Sequence, residues 1–174
     1  MLQKNQFESI YKEHSKMVYN LCLNYVQSTE DSEDLTQEIF VKVYQNLHLF
    51  DVNKASLKTW IYRIGINICL DFIKAKKTKK RFGFLSNLFH LDSNEPIVNV
   101  SDFNHPGVLF EQKENYKILF GYINNLPENQ KTVILLSKVE GFSQKEIAKM
   151  MNLNIKAIES LYQRAKQNIS KKIK

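Results

Sequence analysis

Asp34, Gln37 and Glu38 stand at offsets 0, 3 and 4 within TEDSEDLTQEIF, residues 29–40, which puts them on one face of a helix. The stretch holds five carboxylates and no Lys or Arg, in a chain of formal net charge +7. Glu30, Asp31 and Glu33 fall in the first turns of that helix, where the positive end of the dipole favours acidic groups. The dipole does not account for Asp34, Gln37 and Glu38, which lie past the first turn and form a compact polar face. A second set, Trp60, Arg63, Asn67, Asp71 and Lys74, runs at offsets 0, 3, 7, 11 and 14 along one side of a helix. An aromatic ring, an amide and cations can stack on unpaired bases, hydrogen-bond to them and hold the backbone. By composition alone, a core Trp on a helix whose Lys-rich end answers the negative dipole fits equally well. A third set is Lys156, Glu159, Ser160, Gln163 and Arg164. Gln163 and Arg164 can reach base edges in a major groove, and Lys156 can hold a phosphate.

Other chemistries find little support. Cys22 and Cys69 sit in apolar helical patterns, NLCLNY and NICLDF, far from any CxxC spacing, and read as small buried hydrophobes. His14 lies on an apolar stripe with no ligand-type residue at matching spacing, and so reads as a packed histidine. The carboxylates and the four His are too scattered to build a catalytic pocket, so an enzyme is not expected; nor is a cofactor or a metal site. Positive charge comes in two blocks: nine cationic against two anionic residues in 51–81, and ten against four in 128–174. Residues 1–50 and 82–127 are net acidic, with four against seven and two against five. Two basic blocks are consistent with two contacts to a polyanion, since neutralising phosphates releases counterions. No apolar run approaches the ~20 residues that span a bilayer, and MLQKNQFESI lacks a signal-peptide apolar core. A soluble, cytoplasmic protein without membrane insertion is expected.

The elements that must position these sets are helices throughout, with no convincing period-2 strand. Phe7, Ile10, Tyr11, His14, Val18, Leu21, Cys22 and Tyr25 form the stripe of a long first helix. A second helix, capped by Ser28 or Thr29, has Leu35, Ile39, Val43, Leu47 and Phe50 inward. A third is expected from about Ser56 to Lys77, with Leu57, Trp60, Ile61, Ile64, Ile68 and Phe72 inward, leading into the cluster KAKKTKKR. From about 79 to 107, Asn, Ser, Asp, Gly and Pro break any long period and read as a linker. Helicity resumes near Val108, with Tyr116, Leu119, Phe120 and Ile123 on one side. Pro127 falls in the first turn of a further helix that Gly141 ends. SQKE, residues 143–146, is a capping box, Asn152 suits a left-handed reversal, and Asn154 caps the last helix. That helix has Ile158, Leu161, Tyr162, Ala165 and Ile169 inward. Ile147, Ala148, Met151, Asn152, Leu153, Ile158 and Leu161 occupy the apolar, small-residue and turn positions of a helix-turn-helix. The expected fold class is all-α: two small helical domains, 1–78 and 108–174, joined by a flexible linker, 79–107.

DLTQEIF at 34–40, SLKTWIYRIGIN at 56–67 with the lysine cluster behind it, and LPENQKTVILLSKVEGFSQKEIAKMMNLNIKAIESLYQRAKQNI at 126–169 resemble regions 2 and 4 of the extracytoplasmic-function (ECF) sigma factors of the sigma-70 family. The resemblance implies a subunit that binds core RNA polymerase and directs promoter-specific transcription initiation. It implies that Asp34, Leu35, Gln37 and Glu38 dock on the β′ clamp helices, with the β flap as a further polymerase contact. It places Phe50, Asp51, Val52, Asn53 and Lys54 in the segment that shapes a pocket for a flipped −10 base. Trp60, Arg63 and Asn67 fall in the −10 recognition and strand-opening helix, with Lys74 behind them, and Ser160, Gln163 and Arg164 fall among the −35 readers, beside Lys156 and Glu159. Ala157, Glu159 and Leu161 depart from the Thr, basic residue and Arg of many members. An anti-sigma factor is a further partner the family brings with it. The acidic face is then for polymerase and the basic blocks are for promoter DNA.

Promoter elements a couple of helical turns apart are separated by on the order of 60–70 Å. A flexible chain of ~28 residues has an r.m.s. span of roughly 30 Å and a limit near 95 Å, so the linker is expected to be stretched along a partner. The rival reading, a stand-alone helix-turn-helix regulator, accounts for 126–169 and leaves the acidic face and the Trp60 region without a role.

Overall fold

The computed structural model describes the backbone of residues 2–88 and 113–173, and the side chains of 5–78 and 118–172. All regular structure among the described residues is helical. Two compact units form: one from Met1–Tyr44 with Ile64–Phe103, the other from Gln45–Arg63 with Asn104–Lys174. The sequence division would instead have kept 45–63 with the rest of 1–78. The expected linker overlaps the third helix up to Leu88, and its remainder lies outside the described residues.

In the first unit, α1 (Leu2–Val26) turns into α2 (Thr29–Asn46) through Gln27, whose φ of 55° is the left-handed conformation that reverses the chain. Ser28 caps α2, its Oγ accepting from the Asp31 amide at 3.2 Å. Val18, Leu21, Cys22 and Tyr25 of α1 meet Leu35, Ile39 and Val43 of α2 in the core, and His14 is packed inside with them. Full burial of one such Leu or Ile contributes about 1.5–3 kcal/mol. Aromatic edges close the end of the layer, with Tyr11 on Phe40 at 4.7 Å and Phe7 on Tyr44 at 5.0 Å.

The long helix α3 (Leu57–Leu88) differs from expectation in face and length. Tyr62, Ile66 and Cys69 are buried beside Ile61, whereas Trp60, Ile64, Ile68 and Phe72 are only half-buried. Gly65 explains the rotation. A Cβ there would lie 2.9 Å from Leu21 Cδ2 and 3.4 Å from Ile39 Cδ1, so the bare backbone at 65 is the face that α1 and α2 approach. The helix continues past Lys77 because Lys and Arg are good helix formers. Lys76 Nζ pairs with Asp31 Oδ2 at 2.7 Å, tying α3 to the start of α2.

In the second unit, α4 (Lys113–Asn124) precedes α5 (Glu128–Ile134), which runs into a π-helical turn at Leu135–Val139. Pro127 occupies the N-cap itself rather than the first turn. Then come α6 (Gln144–Met151) and α7 (Ile155–Ile173), with α5 and α6 both packed on α7. Gly141, at φ 73°, makes the left-handed exit from the π turn. Ser143 and Glu146 complete a capping box, Asn152 reverses the chain at φ 53° and ψ 44°, and Asn154 Oδ1 accepts from the Ala157 amide at 2.8 Å. Phe120, Ile123, Ile134, Leu135, Leu136, Ile147, Ala148, Met150, Ile158 and Ala165 fill the core, while Leu119 faces solvent. Within this unit Tyr62 is wholly buried, donates its hydroxyl to the Glu140 carboxylate and packs edge-on against Phe142 at 4.7 Å. Burial, followed by the Glu140 charge, pushes the Tyr62 phenol far up from its ordinary value.

Candidate protein- and nucleic-acid-binding surfaces

On α2 the inward stripe of Leu35, Ile39 and Val43 leaves Asp34, Gln37 and Glu38 exposed together. Leu35 is different. It is 3% exposed, so it holds the helix to the core and offers a partner almost no surface. Asp31, by contrast, is spent inside the protein on Lys76. The outward face continues beyond Glu38 through Val41, 53% exposed. Sequence reasoning missed Val41, although its spacing from Asp34 and Gln37 was the available signal.

The segment after α2 ends in a short 3-10 turn, Leu47–Leu49, and a tight loop. Asp51 organises that loop: its Oδ1 accepts from the Asn53 amide at 2.9 Å and from Asn53 Nδ2 at 3.1 Å, and Lys54 Nζ lies 3.5 Å from Oδ2. These hydrogen bonds, led by the Asn53 amide, hold the Asp51 carboxyl below its usual value. Asp51 therefore shapes the loop, while Val52, 74% exposed, stands at its tip. Phe50 and Trp60 stack at a tilt with ring centroids 5.4 Å apart, both half-buried. Trp60 therefore packs one side on Phe50 without being enclosed in the core. Along α3, Arg63, Asn67, Asp71 and Lys74 are all exposed, and Lys74 sits 3.5 Å from Asp71. An anion arriving at Lys74 would compete with that weak surface pair.

On α7, Lys156, Glu159, Ser160, Gln163 and Arg164 are exposed together, opposite Ile158 and Ala165. Arg164 is braced on its own helix, one guanidinium nitrogen 2.7 Å from Ser160 Oγ. This pairing holds the Arg164 guanidinium against its own helix, a contact that spacing alone did not reveal. The capping box and the Asn152 reversal set α7 against α6, and the Asn168 amide donates to Gln130 Oε1 at 2.8 Å, fixing α7 on α5. One helix is thereby held with its polar face free, as groove binding requires.

Comparison with known proteins decides the family. Residues 10–79 match sigma-70 region 2 and residues 117–169 match sigma-70 region 4. The chain belongs to the ECF sigma factors of the sigma-70 family. It is 26% identical over 179 residues to the ECF RNA polymerase sigma factor SigW of Bacillus subtilis, covering 98% of this chain and 90% of that protein. To the ECF RNA polymerase sigma-E factor of Haemophilus influenzae it is 29% identical over 171 residues, covering 98% and 88%. The fold is similar to that of CnrH in its complex with the cytosolic domain of CnrY, with a TM-score of 0.67 at 19% identity, covering 98% of this chain and 88% of that one. It is also similar to the sigma factor RpoE bound to the anti-sigma factor NepR from Bartonella quintana, with a TM-score of 0.64 at 19% identity and 95% of both chains covered. This sigma factor directs transcription initiation, and the region 2 match rules out a stand-alone helix-turn-helix regulator. Among the described residues no helix is long and apolar enough to cross a membrane, and no cluster of three or more His, Cys, Asp or Glu could hold a metal ion.

Proposed function

We propose that the sigma factor divides its work among three surfaces. Asp34, Gln37 and Glu38 dock on the β′ clamp helices of core RNA polymerase, with Val41 extending the contact. Val52, Asn53 and Lys54 at the loop, with Trp60, Arg63, Asn67 and Lys74, engage the melted −10 element. Lys156, Glu159, Gln163 and Arg164 meet the −35 element in the major groove, and the C-terminal helices also touch the β flap. Leu35, Phe50, Asp51 and Ser160 position these groups. The domains are taken as 1–78 and 108–174, with 79–107 between them, a division supported by the matches over 10–79 and 117–169. The protein works in the cytoplasm without catalysis of its own and answers to an anti-sigma factor, a kind of partner that the RpoE structure contains.

The observation that carries this reading is the segregation of charge and exposure. The outward face of α2 is acidic just where its first-turn dipole no longer explains it. The outward face of α7 instead offers amide and guanidinium donors of the kind that read base edges. Asp34→Lys or Glu38→Lys should weaken association with core polymerase by several kcal/mol, because like charges across a complementary interface are costly. Unchanged core affinity in a binding titration would remove the clamp assignment.

A further inference from the structure

Cys22 on α1 and Cys69 on α3 are 47 positions apart in sequence, yet their sulfurs lie 3.9 Å apart and both residues are fully buried. They meet one turn along from the place where Gly65 brings α3 against Leu21. Each cysteine alone would be an inert core thiol, since burial shields it from reagents and disfavours the thiolate. The pair behaves differently. A hydrogen bond from the Cys69 thiol outweighs the opposing effect of burial and holds the Cys22 thiol below its ordinary value. The remaining gap is about 2 Å longer than a disulfide bond, a distance that side-chain rotation with a small helix shift can close.

We propose that Cys22 and Cys69 form a buried dithiol site that a small, neutral two-electron oxidant such as hydrogen peroxide closes into an intramolecular disulfide between α1 and α3. The Cys22 thiolate attacks one peroxide oxygen; an S–O bond forms, the O–O bond breaks, and the departing hydroxide leaves as water with the proton given up by Cys22. The Cys69 sulfur then attacks Cys22 Sγ; the S–S bond forms, the S–O bond breaks, and the hydroxide leaves as water with the Cys69 proton. Two electrons pass from the sulfurs to peroxide. The resolving thiol already touches the attacked sulfur, so the sulfenic acid is trapped before a second oxidant arrives. Burial selects for reagents small enough to enter as the helices breathe. The inference uses only the packing of α1 on α3 and is independent of the polymerase and promoter assignments.

The test is to treat the full chain, reduced and then freed of thiol, with hydrogen peroxide under native conditions, alkylate it in denaturant, and map the tryptic peptides. The expected result is a cross-link between the peptides 17–42 and 64–74, in monomeric protein, lighter by two hydrogens and reversed by dithiothreitol. The cross-linked protein should unfold at a higher temperature than the reduced form, because the link constrains the unfolded chain. Cys22→Ser and Cys69→Ser, read as single variants, should lose both the cross-link and the thermal shift. Both cysteines remaining fully alkylated after peroxide would overturn the proposal. So would disulfides only between chains, a cross-link seen only in denaturant, or accumulation of sulfinic acid at one cysteine in the otherwise intact protein.

Discussion

Arg164 and Lys156 share one exposed face of α7, yet their chemistry separates them. Arg164, braced by Ser160 at 2.7 Å, can make a bidentate contact to guanine worth about 1–3 kcal/mol of discrimination. Arg164→Ala is expected to relax preference at one −35 position. Lys156→Ala should weaken all promoters alike and lower the salt slope by about one, as loss of a single phosphate contact does. Glu159 divides two outcomes on the same face. If it accepts from a cytosine amine, Glu159→Gln changes base preference; if it only lies near phosphate, the change strengthens binding to every sequence. Initiation measured across single-base −35 variants at several salt concentrations reads all three. On the proposed assignment of Asn67 to the melted strand, Asn67→Ala should impair strand opening more than closed-complex binding. Permanganate reactivity checks this, and normal opening in the variant would take Asn67 out of the site.

Individual helices were legible to different depths, for physical reasons. The helix-turn-helix could be read closely because its turns depend on special residues: a capping box at Ser143–Glu146 and a left-handed Asn152. The face of α3 was misjudged because IYRIGINICLDFI is apolar at almost every turn, so periodicity could not choose between Ile64 and Ile66. Gly65 was the deciding signal, since only a missing side chain admits Leu21 so closely. Gly65→Ala should therefore destabilise the first unit by about 1–3 kcal/mol, the usual cost of overpacking, as chemical unfolding will show. The acidic face of α2 could be read from spacing, but the inward setting of Leu35 was already implied by its own place on the core stripe. Hydrogen bonds from Ser143 hold the Glu146 carboxyl below its usual value. Its contribution to α6 is thus present above the unfolded carboxylate pKa of ~4.3 and lost as pH falls through the lower folded value. Wild type and Glu146→Gln should accordingly converge in unfolding midpoint on acidification through that window. A difference unchanged down to the lowest pH would deny the capping carboxylate its role.

At the scale of the whole molecule, the proposed surfaces explain why a basic chain keeps one acidic face: its two classes of partner carry opposite demands. In the proposed division of labour, core polymerase recruits the protein through α2, and promoter DNA is read from α3 and α7. The two family regions were visible in the sequence because each carries its own dense motif. The contact of Tyr62 with Glu140 and Phe142 was not, since it joins residues 78 or more positions apart and no local period encodes it. The most direct test of the account is reconstituted transcription from a randomised promoter library with core RNA polymerase, run with the wild-type sigma factor and with Asp34→Lys. The account predicts selective initiation that requires core enzyme and falls sharply in the variant. Tight, sequence-specific binding of promoter DNA by the sigma factor alone, with initiation unaffected by Asp34→Lys, would contradict it.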